Sequence, residues 1–319
     1  MAVTLERIRE ARERISPYVA KTPMLRLKNL DAYLGCEVYV KAECMQNAGS
    51  FKLRGAMNKA LSLSSEELAR GIVCASSGNH GKGIAYAAKA LGTNATIVMP
   101  YTSPKVKVEA IKALGAEVVQ CETSERFDVA ERVCAEKGAT MVPPYNDEQV
   151  MTGQGTAGLE IMEQLPDVCA VVVPVSGGGL IGGVSTAIKA VNGAVKVYGA
   201  EPANLPRYSL SLEAGKPQKV EQKATVADAL VSQAPGDKCF PYVKQNVDAV
   251  YTVSEEYILK AMKMLLCEGK LLAEPSSCIG MAAVLEGKVK FSAEDKVCFL
   301  VSGGSVGLEQ LSVLQNVTY

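Results

Sequence analysis

The run Val171-Val172-Val173-Pro174-Val175, followed at once by Ser176-Gly177-Gly178-Gly179-Leu180, constrains the fold more than any other part of the chain. Five consecutive apolar residues without alternation fit a strand buried on both faces, as in a parallel sheet covered by helices. Glycines directly after it fit a tight turn into a helix, whose first N–H groups can converge on an anion. The pattern recurs. Gly71-Ile72-Val73-Cys74 leads into Ser76-Ser77-Gly78-Asn79-His80-Gly81 and a helical stretch from Ile84 to Leu91. Val297-Cys298-Phe299-Leu300-Val301 leads into Ser302-Gly303-Gly304-Ser305. Ligands of open α/β sheets gather at the carboxyl ends of strands, where all three turns fall. Any one such turn can equally be a connection that binds nothing.

A lysine adds chemistry to these turns. Gly49-Ser50-Phe51-Lys52-Leu53-Arg54-Gly55 places Lys52 in a bend of small residues just before a helix expected over Arg54–Leu63. The positive potential of a helix N-terminus favours the neutral amine, and a neutral amine is what Schiff-base chemistry with a carbonyl cofactor needs. A lone lysine of this kind is usually a solvated charge. The combination with three glycine turns gives it weight.

The segments Ser50 to Gly55, Ser76 to Gly81, Gly153-Gln154-Gly155-Thr156, Ser176 to Leu180 and Ser302 to Gly304 stand in the order and spacing of a known family. From about Leu5 to its end the chain resembles the fold-type II pyridoxal phosphate enzymes, in the group of serine/threonine dehydratase (threonine ammonia-lyase) and serine racemase. The resemblance implies an α/β chain of two domains, tryptophan synthase β-like, with parallel sheets flanked by helices. It implies a large domain of residues 1–68 plus 148–319 and a small domain of residues 69–147, with pyridoxal 5'-phosphate in the cleft between them. The sequence by itself shows only two α/β blocks. No regulatory domain is expected beyond Tyr319, which disfavours the feedback-controlled biosynthetic form of threonine dehydratase.

Site residues follow from the same resemblance. Lys52 is expected to hold the cofactor and to act as the base on the substrate Cα–H, with Ser77 as the second proton carrier if the chain is a racemase. Phe51 packs by the cofactor ring, or is ordinary core. Ser176, Gly177, Gly178, Gly179 and Leu180 hold the phosphate, with Ser176 standing where the family usually has glycine. Asn79 hydrogen-bonds the phenolic oxygen, and Ser76, Ser77, Asn79 and His80 meet the substrate. Ser302 faces the pyridine nitrogen, where a hydroxyl leaves the ring a weaker electron sink than a carboxylate would. That favours β-elimination or racemisation over transamination. The expected reaction is deamination of L-threonine or L-serine to the 2-oxo acid and ammonia; the alternative is a serine or related racemase with side elimination. Cysteine-synthase-like replacement fits less well, because that branch usually has an acidic residue after the lysine and threonine where His80 stands.

In the racemase branch a divalent cation is held by a glutamate and by an aspartate six residues later. Here Glu201 is followed by Arg207, so no divalent metal is expected; a monovalent ion near Glu201 stays compatible. Arg126, a possible substrate contact in racemases, reads better as a solvated helix charge. Tyr145 either narrows the substrate pocket or packs between the domains.

Composition removes other classes. Thirty-four basic and 34 acidic residues give no net charge, which argues against nucleic acid or an anionic membrane as partner. No clean Gly-x-Gly-x-x-Gly unit supports a dinucleotide-dependent oxidoreductase. Ten cysteines lack any Cys-x-x-Cys pair, and Cys169 and Cys298 lie in apolar runs as small hydrophobes. With one histidine in the chain a zinc site is not expected. A reducing cytoplasm fits best. Met1 to Arg14 reads as a charged helix, not a signal peptide, and no run approaches a membrane span. The family commonly forms homodimers.

Overall fold

A computed structural model describes residues 2–76, 78–103 and 105–319, with backbone only at Val106. Its strands are β1 (Met24–Arg26), β2 (Glu37–Ala42), β3 (Ile72–Ala75), β4 (Ala95–Pro100), β5 (Glu117–Cys121), β6 (Thr140–Met141), β7 (Ala170–Pro174), β8 (Lys196–Pro202), β9 (Ala249–Val253) and β10 (Lys296–Val301). They form two sheets, one of order β1-β2-β10-β7-β8-β9 and one of order β5-β4-β3-β6. All neighbours run parallel except β1, which pairs antiparallel with β2. The chain thus adopts the expected α/β fold, with parallel sheets flanked by helices.

The apolar runs are central strands for the anticipated reason. In β7 every residue from Ala170 to Pro174 is buried, and in β10 so are Val297 to Val301. Both faces of this sheet are covered, by cores that contain Val172 and Phe299 on one side and Val171, Val173 and Leu300 on the other. The glycine turns therefore hang from strands that cannot slip register without exposing a full apolar face.

Glycines set how the lysine-bearing helix and the glycine-turn helix sit. Helix Glu148–Gln164 lies between helix Lys52–Ala60 and helix Gly179–Val191. A Cβ on Gly153 would stand 2.6 Å from the Arg54 carbonyl oxygen, one on Gly158 2.8 Å from the Val184 oxygen, and one on Gly183 2.7 Å from the Gly155 nitrogen. Gln154 Oε1 accepts the Gly55 N–H at 3.2 Å, and the Thr156 hydroxyl lies 3.2 Å from Arg54 Nη1. Gly153 to Thr156 is thus a helix-packing motif joining two of the functional turns.

Beneath it lies a buried ionic cluster. Arg54, with no exposed surface, donates through Nε and Nη2 to Glu43 (both 2.8 Å) and through Nη1 and Nη2 to Glu160 (2.7 and 2.8 Å). Lys41 is paired with Glu160, and Thr22 bonds to Glu43. Two cations and two carboxylates balance, and side-chain hydrogen bonds satisfy them, as a buried network requires.

Two local expectations shift. The helix expected over Arg54–Leu63 spans Lys52–Ala60, because Phe51 is already helical (φ −53°, ψ −22°), which makes Lys52 the first helical residue. Cys298 is buried, but Cys169 is exposed. Cys169 precedes β7, and its backbone alone joins the sheet, through Lys296 O and Lys196 N (2.9 Å each). All ten cysteines are free thiols. Ser103-Pro104 is by residue type a good N-cap and first-turn pair for a helix, and helix Lys105–Ala113 follows it; Pro104 itself lies outside the described residues. Among the described residues no helix is long and apolar enough to cross a membrane.

Candidate active site

The turn that carries Lys52 is stitched to the turn after β10. Ser50 forms an isolated β-bridge with Gly303, the Phe51 N–H donates to Ser302 O at 3.0 Å, and Gly304 N–H donates to Gly49 O at 3.0 Å. Gly49 holds φ +77°, a left-handed conformation that admits glycine readily. Lys52 and Ser302, far apart in sequence, are thereby fixed on adjacent stretches of backbone.

Lys52 Nζ donates to the Pro144 carbonyl oxygen at 2.6 Å and stands 5.1 Å from the centre of the Phe51 ring. Burial pulls its pKa down to about 8, against the weaker opposing pull of Cys239, Glu274 and Cys74. At pH 7 about one amine in ten is then neutral, against about one in three thousand at the ordinary 10.5. The sequence pointed to a helix N-terminus as the cause; the structure adds burial, which lowers the pKa.

Asn79 opens helix Asn79–Leu91, directly after β3 and its turn. Its Nδ2 donates to both oxygens of Glu274, at 2.7 and 3.0 Å, and its buried Oδ1 has no hydrogen-bond partner among the described residues. Glu274 is a residue sequence reasoning missed. It caps helix Pro275–Leu285, its N–H donates to Gly303 O at 3.1 Å, and burial pushes its carboxyl up to about 7 despite the Asn79 amide. A Cβ on Gly303 would fall 2.8 Å from Glu274 Oε1, so glycine is required there for this carboxylate to reach Asn79. An acidic residue between Leu271-Leu272-Ala273 and the apolar helix after Pro275 was the available signal.

Ser302 is buried, with its Oγ 3.0 Å from Ser277 Oγ. Ser277, also missed, accepts the Gly303 N–H at 2.7 Å and lies 2.8 Å from Gly303 O. A hydroxyl has one proton. If Ser277 gives its proton to Ser302, the Ser302 proton is left to donate elsewhere. If Ser277 gives it to Gly303 O, Ser302 donates back to Ser277.

The glycine turn is linked to Lys52 through adjacent residues: Pro144 accepts from Lys52, and Tyr145 packs on the turn. Gly178 has φ +97°, and a Cβ there would lie 2.8 Å from the Tyr208 ring carbon Cζ; one on Gly179 would lie 2.8 Å from Tyr145 Cβ. Tyr145 therefore packs directly on the turn. Helix Gly179–Val191 begins here, with Leu180 buried in its first turn, so the turn carries the unpaired leading N–H groups of a helix. The Ser176 hydroxyl is tied to Ser232, Oγ to Oγ at 3.1 Å, and accepts the Ser232 N–H at 3.2 Å. It braces the turn.

The remaining expected residues divide. Ser76 Oγ accepts the Gly78 N–H at 3.3 Å at the end of β3. Ser77 lies outside the described residues. The His80 ring is buried, with Nε2 2.8 Å from Val142 O, and Nδ1 is without a partner among the described residues. Burial brings its pKa to about 3, so it is neutral and brings no positive charge to a substrate. Arg126 donates to Thr123 O at 2.7 Å and stacks on Phe127 at the start of helix Arg126–Lys137. Among the described residues no group of three or more His, Cys, Asp or Glu side chains is placed to hold a metal. Beside Glu201, the Arg207 Nε stands 3.6 Å from the carboxylate, a positive charge that opposes a second cation there.

The polar groups fit a phosphorylated carbonyl cofactor. A buried, partly neutral amine, an orphaned buried amide oxygen and a glycine-lined helix start surround one region. Comparison with known proteins points the same way. A family model described as pyridoxal-phosphate dependent enzyme matches residues 15–303. L-threonine ammonia-lyase of Thermotoga maritima is 44% identical over 98% of this chain and 78% of its own length. Serine racemase of Oryza sativa subsp. indica is 41% identical over 96% of this chain and 92% of its own. Among solved structures, maize serine racemase superposes with a TM-score of 0.94 at 39% identity, covering 99% of this chain and 97% of that one. The threonine deaminase isoform 2 of Solanum lycopersicum, in its processed form, superposes with a TM-score of 0.92 at 34% identity, covering 98% and 87%. With that match over most of its length, the chain belongs to the pyridoxal-phosphate dependent enzymes.

Proposed function

We propose that the chain deaminates L-threonine and L-serine by β-elimination, releasing 2-oxobutanoate or pyruvate and ammonia. The observation that carries this is the buried Lys52 amine, held at about pKa 8 beside Pro144 O with no hydrogen-bonded carboxylate among the described residues. The bound cofactor supplies an electron-withdrawing ring that acidifies the substrate Cα–H. Lys52 would hold the cofactor, and its amine would take the substrate Cα proton. Phe51 flanks the ring, and Ser302 offers a neutral hydroxyl to the pyridine nitrogen. Gly177, Gly178, Gly179 and Leu180 would present N–H groups to the phosphate, and Asn79, held by Glu274, would hydrogen-bond the cofactor's phenolic oxygen. Ser76, Ser77 and His80 would meet the substrate. Atoms balance: the β-hydroxyl leaves as water, and one water returns when ammonia is released.

Serine racemisation is the second reading, favoured by the likeness to serine racemases along nearly the whole chain. There Ser77 exchanges the proton opposite Lys52. Both readings place residues 1–68 and 148–319 in a large domain and 69–147 in a small one, with the four-stranded sheet inside the small one. They also include a homodimer, by resemblance, and a cytoplasmic location, which ten free thiols support. The deciding experiment supplies L-threonine or L-serine to the cofactor-loaded protein and quantifies the 2-oxo acid and the opposite enantiomer, with and without EDTA. Dominant oxo acid supports elimination. Dominant D-serine overturns it in favour of racemisation.

A further inference from the structure

We propose that Arg207 is a positioning residue for the glycine turn, its guanidinium bridging Glu201 to segment 230–232 as a fixed internal cation. Arg207 is among the largest side chains with no exposed surface. Its Nη1 donates to the carbonyl oxygens of Leu230 and Ser232, at 2.8 and 2.9 Å, and its Nε stands 3.6 Å from Glu201 Oε2. Glu201, equally buried, accepts the Tyr208 N–H at 2.9 Å and both the N–H and hydroxyl of Ser209 at 2.8 Å. The carboxylate thus caps helix Arg207–Ala214 while the first residue of that helix reaches back past it.

Two consecutive residues then hold the turn, Arg207 through Ser232 and Tyr208 directly. Arg207 holds Ser232, and Ser232 holds the Ser176 hydroxyl through its N–H and Oγ. Tyr208 donates its hydroxyl to Gly177 O at 3.1 Å. Gly236 N–H reaches the same oxygen at 2.9 Å. The guanidinium leaves Nε and Nη2 without hydrogen-bond partners among the described residues. Buried unpaired donors are a cost that an apolar side chain of the same volume would avoid. What the arginine holds accounts for its place.

Without the guanidinium, one carboxylate and two backbone carbonyls would converge on the space it fills. That is an all-oxygen donor set, the kind that suits a hard divalent cation. A truncated side chain at this position should therefore make the protein responsive to such a cation, where the wild type is not.

The inference rests on the glycine turn's holding the cofactor phosphate, so the test reads cofactor affinity directly. Cofactor-free wild type, Arg207→Met and Arg207→Ala are titrated with pyridoxal phosphate by visible absorbance, in EDTA and in millimolar calcium chloride. The wild type is expected to bind equally in both. Loss of charge-assisted hydrogen bonds should weaken both variants about tenfold or more in EDTA. Calcium should restore Arg207→Ala, which has room for it, and leave Arg207→Met weak. Wild-type affinity for both variants in EDTA would overturn the positioning role; Arg207→Ala indifferent to calcium would overturn the cation equivalence. Failure of the wild type itself to bind would instead refute the assignment of the cofactor site. Should the variants not fold, calorimetry of calcium with wild type decides: no heat dependent on Glu201 is expected, and binding abolished by Glu201→Gln overturns the proposal.

Discussion

Replacing Gly153 by alanine should weaken the protein and misplace Lys52 together. The added Cβ would stand 2.6 Å from Arg54 O, 2.7 Å from Gly55 Cα and 2.9 Å from Arg54 C, all backbone atoms that no rotamer change can move. Cβ contacts essentially never fall under 3.0 Å and ordinary contact begins near 3.4 Å, so the two helices must part by 0.4 Å at the least (3.0 minus 2.6) and by 0.8 Å to reach ordinary contact (3.4 minus 2.6). Two effects oppose. Alanine is favoured over glycine inside a helix by about 1 kcal/mol, and overpacking against rigid neighbours costs about 1–3 kcal/mol. With every neighbour being main chain the cost lies at the upper end, leaving a net loss of about 1–2 kcal/mol, or a few degrees in the thermal midpoint. Lys52 begins the retreating helix, and a misplacement of about 1 Å at reacting groups can cost about 100-fold in turnover. The assay is thermal unfolding followed by circular dichroism, with kcat measured on L-threonine. Gly182→Ala is the stability control, because its Cβ would meet only ordinary contacts, the nearest at 3.5 Å from Met151 Sδ. A Gly153→Ala midpoint at or above wild type, with Gly182→Ala also undisturbed, would refute the packing argument.

Two further consequences concern buried charge. Because Glu274 rises from 4.5 to about 7, the folded cofactor-free protein holds more protons than the unfolded chain between those values. Its stability should therefore fall as pH climbs through that window, by about 3 kcal/mol at most. Glu274→Gln should remove that slope, measured as urea midpoints from about pH 4.5 to 8; an unchanged slope would place the titration elsewhere. Arg54→Met should destabilise by about 3–5 kcal/mol, since Glu43 and Glu160 would be left with Lys41 alone. A variant as stable as wild type in urea would show that the cluster is not held charged.

The sequence made the sheets and turns legible because both leave local signatures. A strand buried on both faces cannot alternate, so Val171 to Val175 and Val297 to Val301 stand out, and a helix start facing an anion selects glycines. Lys52 was legible for its neighbours in the bend, whereas the burial that lowers its pKa is set by the fold. Glu274 was not legible, since it meets Asn79 across 195 residues and looks locally like any helix cap before proline. Nor was the purpose of Gly153 to Thr156, whose partners Arg54 and Gly55 lie on another helix. Cys169 misled because membership of an apolar run says nothing about the edge of a strand, where the side chain turns outward. Arg207 could be read only as what it excludes. That it bridges Glu201, Leu230 and Ser232 needed the fold.

The most direct test is to reduce the yellow, cofactor-loaded protein with borohydride and map the modified peptide by mass. Loss of visible absorbance, with the reduced pyridoxyl phosphate mass on Lys52 alone and none on a Lys52→Ala protein, is the predicted result. A tag on another lysine, or threonine deamination surviving in Lys52→Ala, would contradict it.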